Sequence, residues 1–390
     1  MSSPSWSSGD FRRLWTVALL GAVSTWATQV ALSVGVLAHH SGAALAAVLL
    51  AGNVPALLVG PLGGAVVDQV RPHVVLRVAL PAQAVGLVVM AVAIDGSLVV
   101  TACGYAVFLI AGRFAGPAAQ RLRYLATPES LWGKANAAIG AVTGISTIAG
   151  AALGTVSVAT LGAFAAFLLA AGLCAVAAWV AWPVRSRSAS ERGDGRRFRF
   201  GGGLAALRRY PLARRIVVVG IAWGLVGGGY EVLLAVFATR VLGTDGTGIG
   251  LLYLVDGVGV LVGSLLGGRV PAHRRQLAFT IGYITQGALW ALFAVSPGLV
   301  TAMVVLLGMR VASGVIIALD TTLLLESVPE SLHGRVFSMH AVSYGAVLRV
   351  SLSVTGALLG LVGAPALVLA GGAGSVLIGL FWAYAGRSSR

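Results

Sequence analysis

The chain has 390 residues, 58% of them hydrophobic and only 10% charged, with a mean hydropathy of +0.93. Soluble globular chains are roughly 45–50% apolar and about 25% charged, so this one lacks the polar surface to cover a water-facing core and reads as an integral membrane protein. Its net charge of +15 raises nucleic acid as a partner, a question that the placement of the charges decides.

A membrane helix needs about 20 mostly apolar residues. In chain order, twelve segments qualify: 14–38, 44–67, 74–94, 98–120, 135–158, 161–182, 213–239, 247–268, 276–295, 299–323, 336–360 and 363–385. The first is about 24 residues long, beyond the 7–15 of a signal-peptide core, and is expected to be a retained span. Connections are short except for 183–212, a stretch rich in Arg, Ser and Gly that is expected to be a basic linker. The expected domains are residues 1–182 and 213–390, six spans each, around that linker. Cys103 and Cys174 offer neither a disulfide framework nor metal spacing. No Walker loop, nucleophile elbow or zinc-protease helix is visible, so the expectation is a protein without cofactor or catalytic site.

Of the 27 Lys and Arg residues, 23 fall at the termini or in the even-to-odd connections, including Arg71 and ten residues between Arg185 and Arg215. The opposite loops carry only Arg240, and Arg113, Arg310 and Arg349 lie inside spans. Basic residues mark the cytoplasmic side, so both termini are expected there. Charge spread over every loop on one side also removes the nucleic-acid reading. Lys134 is the single lysine, a codon-usage signature that suggests a GC-rich bacterial genome and hence the bacterial plasma membrane.

The segment Thr127-Pro-Glu-Ser-Leu-Trp-Gly-Lys134 returns as Val328-Pro-Glu-Ser-Leu-His-Gly-Arg335, 201 residues on. Both copies join the fourth and fifth spans of their half, which points to duplication. Two parallel six-helix halves linked by a basic loop are one transporter architecture. With Phe11-Arg-Arg-Leu-Trp15, Trp26, Gly60-Pro-Leu-Gly-Gly-Ala-Val-Val-Asp68 and Leu332-His-Gly-Arg-Val-Phe-Ser338, the chain resembles the major facilitator superfamily over nearly its whole length. Within it, the chain is most similar to the bacterial efflux branch that includes the enterobactin exporter and macrolide pumps. The resemblance implies an all-α membrane fold of twelve transmembrane helices in two pseudo-symmetric bundles, rocking about a central cavity. It also implies that Gly64, Asp68 and Arg71 govern conformational gating, with Asp68 stabilising the outward-open shape; capping of a helix end is the alternative for Asp68. The sequence departs from the family at Gln69, where an arginine is usual, at Thr25, where many relatives carry Asp, and at Gly150-Ala151, where the antiporter motif has Gly-Pro.

Ionisable groups inside a bilayer are costly and are functional candidates by default. Arg113 and Arg310 lie on matching spans, and the resemblance gives such an arginine on span 4 a part in substrate or proton handling; structural pairing is the alternative. Gly227, Gly228 and Gly229 mark an expected bend or gate in span 7. Glu231 follows them, as a proton-exchange group or a partner for Arg310. Asp256 and Asp320 are the other coupling candidates, and Asp320, ten residues from Arg310, is expected to be too far to pair with it. Thr25, Trp26, Gln29, Asn53, Tyr105, Trp223, Tyr230, Tyr253, Trp290 and Tyr344 are candidate cavity residues. Trp179, Trp182 and Trp382 suit an interfacial belt, and His340 reads as a lone structural histidine. The expected function is export of a small amphipathic molecule by a monomer in a lipid bilayer, in exchange for protons. A nutrient importer of the same fold and a non-transporting membrane sensor or assembly factor are the alternatives.

Overall fold

The computed structural model describes residues 9–127, 132–185, 207–329 and 332–387. The centre of each repeated motif (128–131 and 330–331) and most of the basic linker (186–206) lie outside the described residues. Among the described residues the regular secondary structure is helical throughout. The chain divides into two compact units, Met1–Gly195 and Arg196–Arg390. The first unit holds α1 (Gly9–His39), α2 (Gly42–Gln69), α3 (Pro72–Ala93), α4 (Leu98–Ala126) and α5 (Trp132–Ala181). The second holds α6 (Pro211–Gly227), α7 (Tyr230–Val236), α8 (Gly246–Gly267), α9 (Arg275–Phe293), α10 (Leu299–Glu326) and α11 (His333–Arg387).

Two of these helices are double. Each breaks at one glycine with positive φ, Gly162 (φ 83°, ψ 170°) in α5 and Gly363 (φ 77°, ψ 162°) in α11. An L-residue is strained at such angles and glycine is not. At Gly162 an added β-carbon would touch nothing within 4 Å, so the torsion alone demands glycine. The two glycines stand 201 residues apart, the offset of the sequence repeat. Nine described helical stretches are long and apolar enough to cross a membrane. Splitting α5 and α11 at their glycines, and adding α9, whose Gln276 and Gln286 lower its hydropathy, gives the twelve expected spans.

The duplication reappears in the packing. In the first unit α1 lies on α5, α2 and α3 lie on α4, and α3 also meets α5. In the second unit α6 lies on α11, α8 and α9 lie on α10, and α9 also meets α11. The core of the first unit includes Leu14, Val17, Leu76, Leu122 and Ala177; that of the second includes Ile216, Val219, Phe279, Leu319 and Leu323. Large apolar side chains such as Val92, Leu161 and Val300 are exposed, as a lipid-facing surface requires and a water-facing one would not tolerate in such numbers.

Helix ends are satisfied locally. The Ser41 hydroxyl accepts from the Ala44 amide at the start of α2. The Asp245 carboxylate accepts from the Thr247 and Gly248 amides at the start of α8, the usual N-cap arrangement. Trp179 and Trp182 are exposed near the end of α5, as a belt would have them, but Trp382 is 1% exposed. It is packed edge-on against Phe279, under the Arg215 guanidinium at 4.3 Å, and its indole donates to the Gln276 carbonyl. The belt assignment therefore fails for Trp382: the two neighbouring helices α6 and α9 cover it.

Candidate functional site

The second unit gathers the ionisable groups. α6 ends at Gly227, the chain turns at Gly228 and Gly229, and α7 restarts at Tyr230. The break falls on the glycine run. α11 packs closely against it: a β-carbon at Gly228 would sit 2.8 Å from the Ser351 hydroxyl and closer still to the Leu348 carbonyl. The restart brings Tyr230 and Glu231 to the first turn of α7.

Asp256 on α8 is 3% exposed. The Tyr230 hydroxyl donates to its Oδ1 at 2.6 Å, the length of a charge-assisted O–H···O⁻ bond. Arg310 on α10 pairs with the same oxygen through Nε at 2.5 Å, and its Nη2 lies 3.5 Å from Oδ2. The guanidinium also lies 4.9 Å from the centroid of the Tyr230 ring. Three helices thus meet on one carboxylate. A buried ion needs this much compensation, because the desolvation of each charge costs several kcal/mol, on the order of what a well-made pair returns. α8 and α10 approach closely enough because Gly259, three residues beyond Asp256, faces the Arg310 backbone; a β-carbon there would stand 2.5 Å from the Arg310 Cβ.

Aromatic rings continue the site inward. Tyr230 meets Trp290 at 5.9 Å, Trp290 meets Trp223 at 6.0 Å, and Trp223 meets Tyr283 at 6.0 Å. Tyr230 and Trp223 are half-buried, whereas Tyr253 and Trp290 are buried at 1% and 2%. Those two are packed in the core, with Trp290 also at the edge of a small apolar pocket beside Tyr230. Tyr253 instead donates its hydroxyl to the Glu231 carbonyl at 3.1 Å. Beside Tyr230, the side chains of Leu233, Leu234, Phe293 and Met309 close together without room for a water-sized guest.

Glu231 has an exposed side chain, within charge range of Arg349 and Asp256. Arg310 pairs with Asp256 and is also within charge range of Glu231. Asp320 stands apart from Arg310, as the ten-residue spacing predicts, and pairs with His340 at 2.9 Å. That pairing overturns the reading of His340 as a lone helical histidine.

The first unit places its candidates separately. Arg113 is half-buried on α4. Thr25 is exposed and bonds its own helix at the Gly21 carbonyl, Trp26 is half-buried with its β-carbon toward Gly150, and Gln29 and Tyr105 are buried. Gly64 and Asp68 lie on α2, with the Asp68 side chain outside the described residues, and Arg71 is exposed at the start of α3. The end of α2 is served by Arg121, which donates to the Val67 carbonyl at 2.8 Å. Among the described residues no group of three His, Cys, Asp or Glu side chains could hold a metal ion.

The family model of the Major Facilitator Superfamily matches residues 14–351. The chain belongs to the major facilitator superfamily. Solved structures agree on the fold. A mutant form of the nucleoside transporter NupG aligns with a TM-score of 0.79 at 13% identity, over 96% of this chain and 99% of that one. The POT family transporter PepTSo aligns with a TM-score of 0.74 at 12% identity, over 97% and 98%. No curated protein matches by sequence. At such identities the likeness to solved structures is one of fold. It carries neither the substrates nor the efflux branch of any relative to this major facilitator protein.

Proposed function

We propose that this protein is a proton-coupled exporter of a small amphipathic molecule, working by alternating access in a bacterial plasma membrane with both termini cytoplasmic. The observation that carries the reading is Asp256: a carboxylate 3% exposed, held by Tyr230 and Arg310 from two other helices. An intramembrane acid with exchangeable partners is the chemistry a proton-driven carrier needs. When Asp256 takes a proton, Arg310 and Tyr230 lose their counter-charge and can turn to a substrate group; when they return, the proton leaves. Glu231 and Asp320 are the other acids able to share this task, and Arg113 is the basic residue that the first unit contributes.

The rest of the reading comes from placement. The helix break at Gly228–Gly229 lies one residue from Tyr230, so a change of tilt in α7 moves the phenol relative to Asp256. The half-buried Trp223 and Tyr230 rings offer an apolar, polarisable wall suited to amphipathic molecules. The asymmetry of 23 basic residues against one supports the orientation. The test is ligand-driven proton movement in proteoliposomes. Ligands are first selected from a panel of amphipathic dyes and drugs by quenching of tryptophan fluorescence. Proton flux that appears with a bound ligand and vanishes in Asp256→Asn supports the proposal; ligand movement without proton flux refutes the coupling.

A further inference from the structure

An arginine closes the last helix of each unit on a tryptophan, and the two copies differ in what covers them. In the second unit Arg215 of α6 donates through Nη2 to the Trp382 carbonyl at 2.9 Å and lies over the Trp382 ring, which is 1% exposed. In the first unit Arg77 of α3 donates to the Trp182 carbonyl, and its guanidinium lies 4.9 Å from the centroid of the Trp182 ring. Here the rings are open: Trp182 is 60% and Trp179 78% exposed. The carbonyl takes one of the five N–H donors of a guanidinium, which leaves Arg77 able to bind an anion.

Around the open copy the charge is of one sign. Arg71 at the start of α3, Arg77 six residues on, and Arg185 just past the end of α5 all lie within charge range of His73. Of the acids whose side chains are described in the first unit, Asp10 pairs with Arg13 at 3.5 Å and Asp95 stands beyond the far end of α3. The next residues in the chain, 186–206, carry five arginines against two acids, so their composition adds to the positive charge. Arg71 also heads an apolar face. Val74, Val78, Val85 and Val92 follow it at steps of three, four and seven residues, on one side of α3, and all four are exposed. From Val74 to Val92 that face runs about 27 Å, close to the thickness of a bilayer's hydrocarbon core.

We propose that this corner of the first unit binds an anionic phospholipid, with the phosphate on Arg71, Arg77 and Arg185 and one acyl chain along the valine face of α3. Guanidinium groups match phosphate oxygens in pairs, and indoles such as Trp179 and Trp182 sit at headgroup level. A free phosphate ion would gain nothing from the valines or the open rings. The lipid supplies the counter-charge missing among the described residues here. The site needs neither proton coupling nor a direction of transport.

The test uses purified full-length protein in a non-ionic detergent. Phosphatidylglycerol and phosphatidylcholine with the same acyl chains are titrated in, and the lipid-bound species are counted by native mass spectrometry. The wild type should hold its first phosphatidylglycerol about tenfold or more tightly than phosphatidylcholine. Arg71→Gln with Arg185→Gln, both at exposed positions, should remove most of that preference. Arg269→Gln with Arg274→Gln takes two exposed charges from the second unit and should leave it intact. Arg77→Lys keeps the charge but loses the planar fork, and should weaken phosphatidylglycerol binding severalfold. No preference in the wild type, or equal loss in the two double variants, overturns the site. A thermal melt separates the lipid from its headgroup chemistry. Phosphatidylglycerol should raise the melting temperature of the wild type and not of the Arg71 and Arg185 double variant, whereas millimolar inorganic phosphate should raise neither. A rise with inorganic phosphate that the double variant abolishes would overturn the lipid assignment.

Discussion

Removing the Arg310 side chain should cost far more than removing the whole ion pair. Arg310→Ala leaves Asp256, 3% exposed, with the Tyr230 hydroxyl as its remaining described hydrogen-bond donor. Breaking one side of a buried pair costs roughly 3–5 kcal/mol, because an uncompensated charge stays behind, whereas replacing both partners with apolar groups of similar volume is often neutral. For a unit of about 200 residues, each kcal/mol shifts the melting temperature by about 2–4 °C. Arg310→Ala should therefore lower it by roughly 6–20 °C, and Arg310→Met with Asp256→Leu by only a few degrees. Thermal unfolding in detergent, followed by circular dichroism, measures all three proteins. The double variant should also lose ligand-driven proton flux despite its stability. If Arg310→Ala melts no lower than the double variant, the carboxylate is not a buried charge that Arg310 compensates, and the reasoning fails.

Three further outcomes follow from the geometry. Tyr230→Phe removes a hydrogen bond to a charged group and should cost roughly 1.5–3 kcal/mol, read by the same melt, while keeping the ring contact with Trp290. Gly162→Ala and Gly363→Ala each force an L-residue into an extended conformation at positive φ and should each cost about 1–3 kcal/mol, read by the same melt. Trp382→Ala empties a packed position between Phe279 and Arg215 and should cost roughly 3–5 kcal/mol, whereas Trp179→Ala, at 78% exposure, should stay within about 0.5 kcal/mol.

Much of the fold is legible in hydropathy and punctuation. Apolar length alone outlines the spans, and the glycine run at 227–229 marks the break in the seventh. The repeat around residues 127 and 328 has the offset that also separates Gly162 from Gly363, although neither glycine stands out among 54. Pairing between helices is much less legible. Asp256 and Arg310 are 54 residues apart, and the sequence gives no direct sign of which acid faces which arginine. One signal was available: Asp256, Gly259, Gly263 and Gly267 recur at helical spacing on one side of α8. A stripe of small residues brings a neighbouring helix close, so an acid at its end must face that neighbour. The neighbour is α10, where Gly314 meets Gly263. His340 gave no such signal, because its partner comes from α10 and is set by tertiary packing alone. Trp382 misled for the opposite reason: a tryptophan near a helix end fits a belt or a core equally well until its neighbours are known.

In the proposed mechanism the Asp256–Tyr230–Arg310 cluster links substrate movement to protons. Its most direct test is the proton-to-ligand flux ratio in proteoliposomes, using an amphipathic ligand already shown to bind by tryptophan quenching. The wild type should move protons opposite to ligand, and Asp256→Asn should still bind the ligand while proton flux falls to the background of empty liposomes. Undiminished proton flux in Asp256→Asn, or ligand transport in the wild type with no proton flux, would contradict the account.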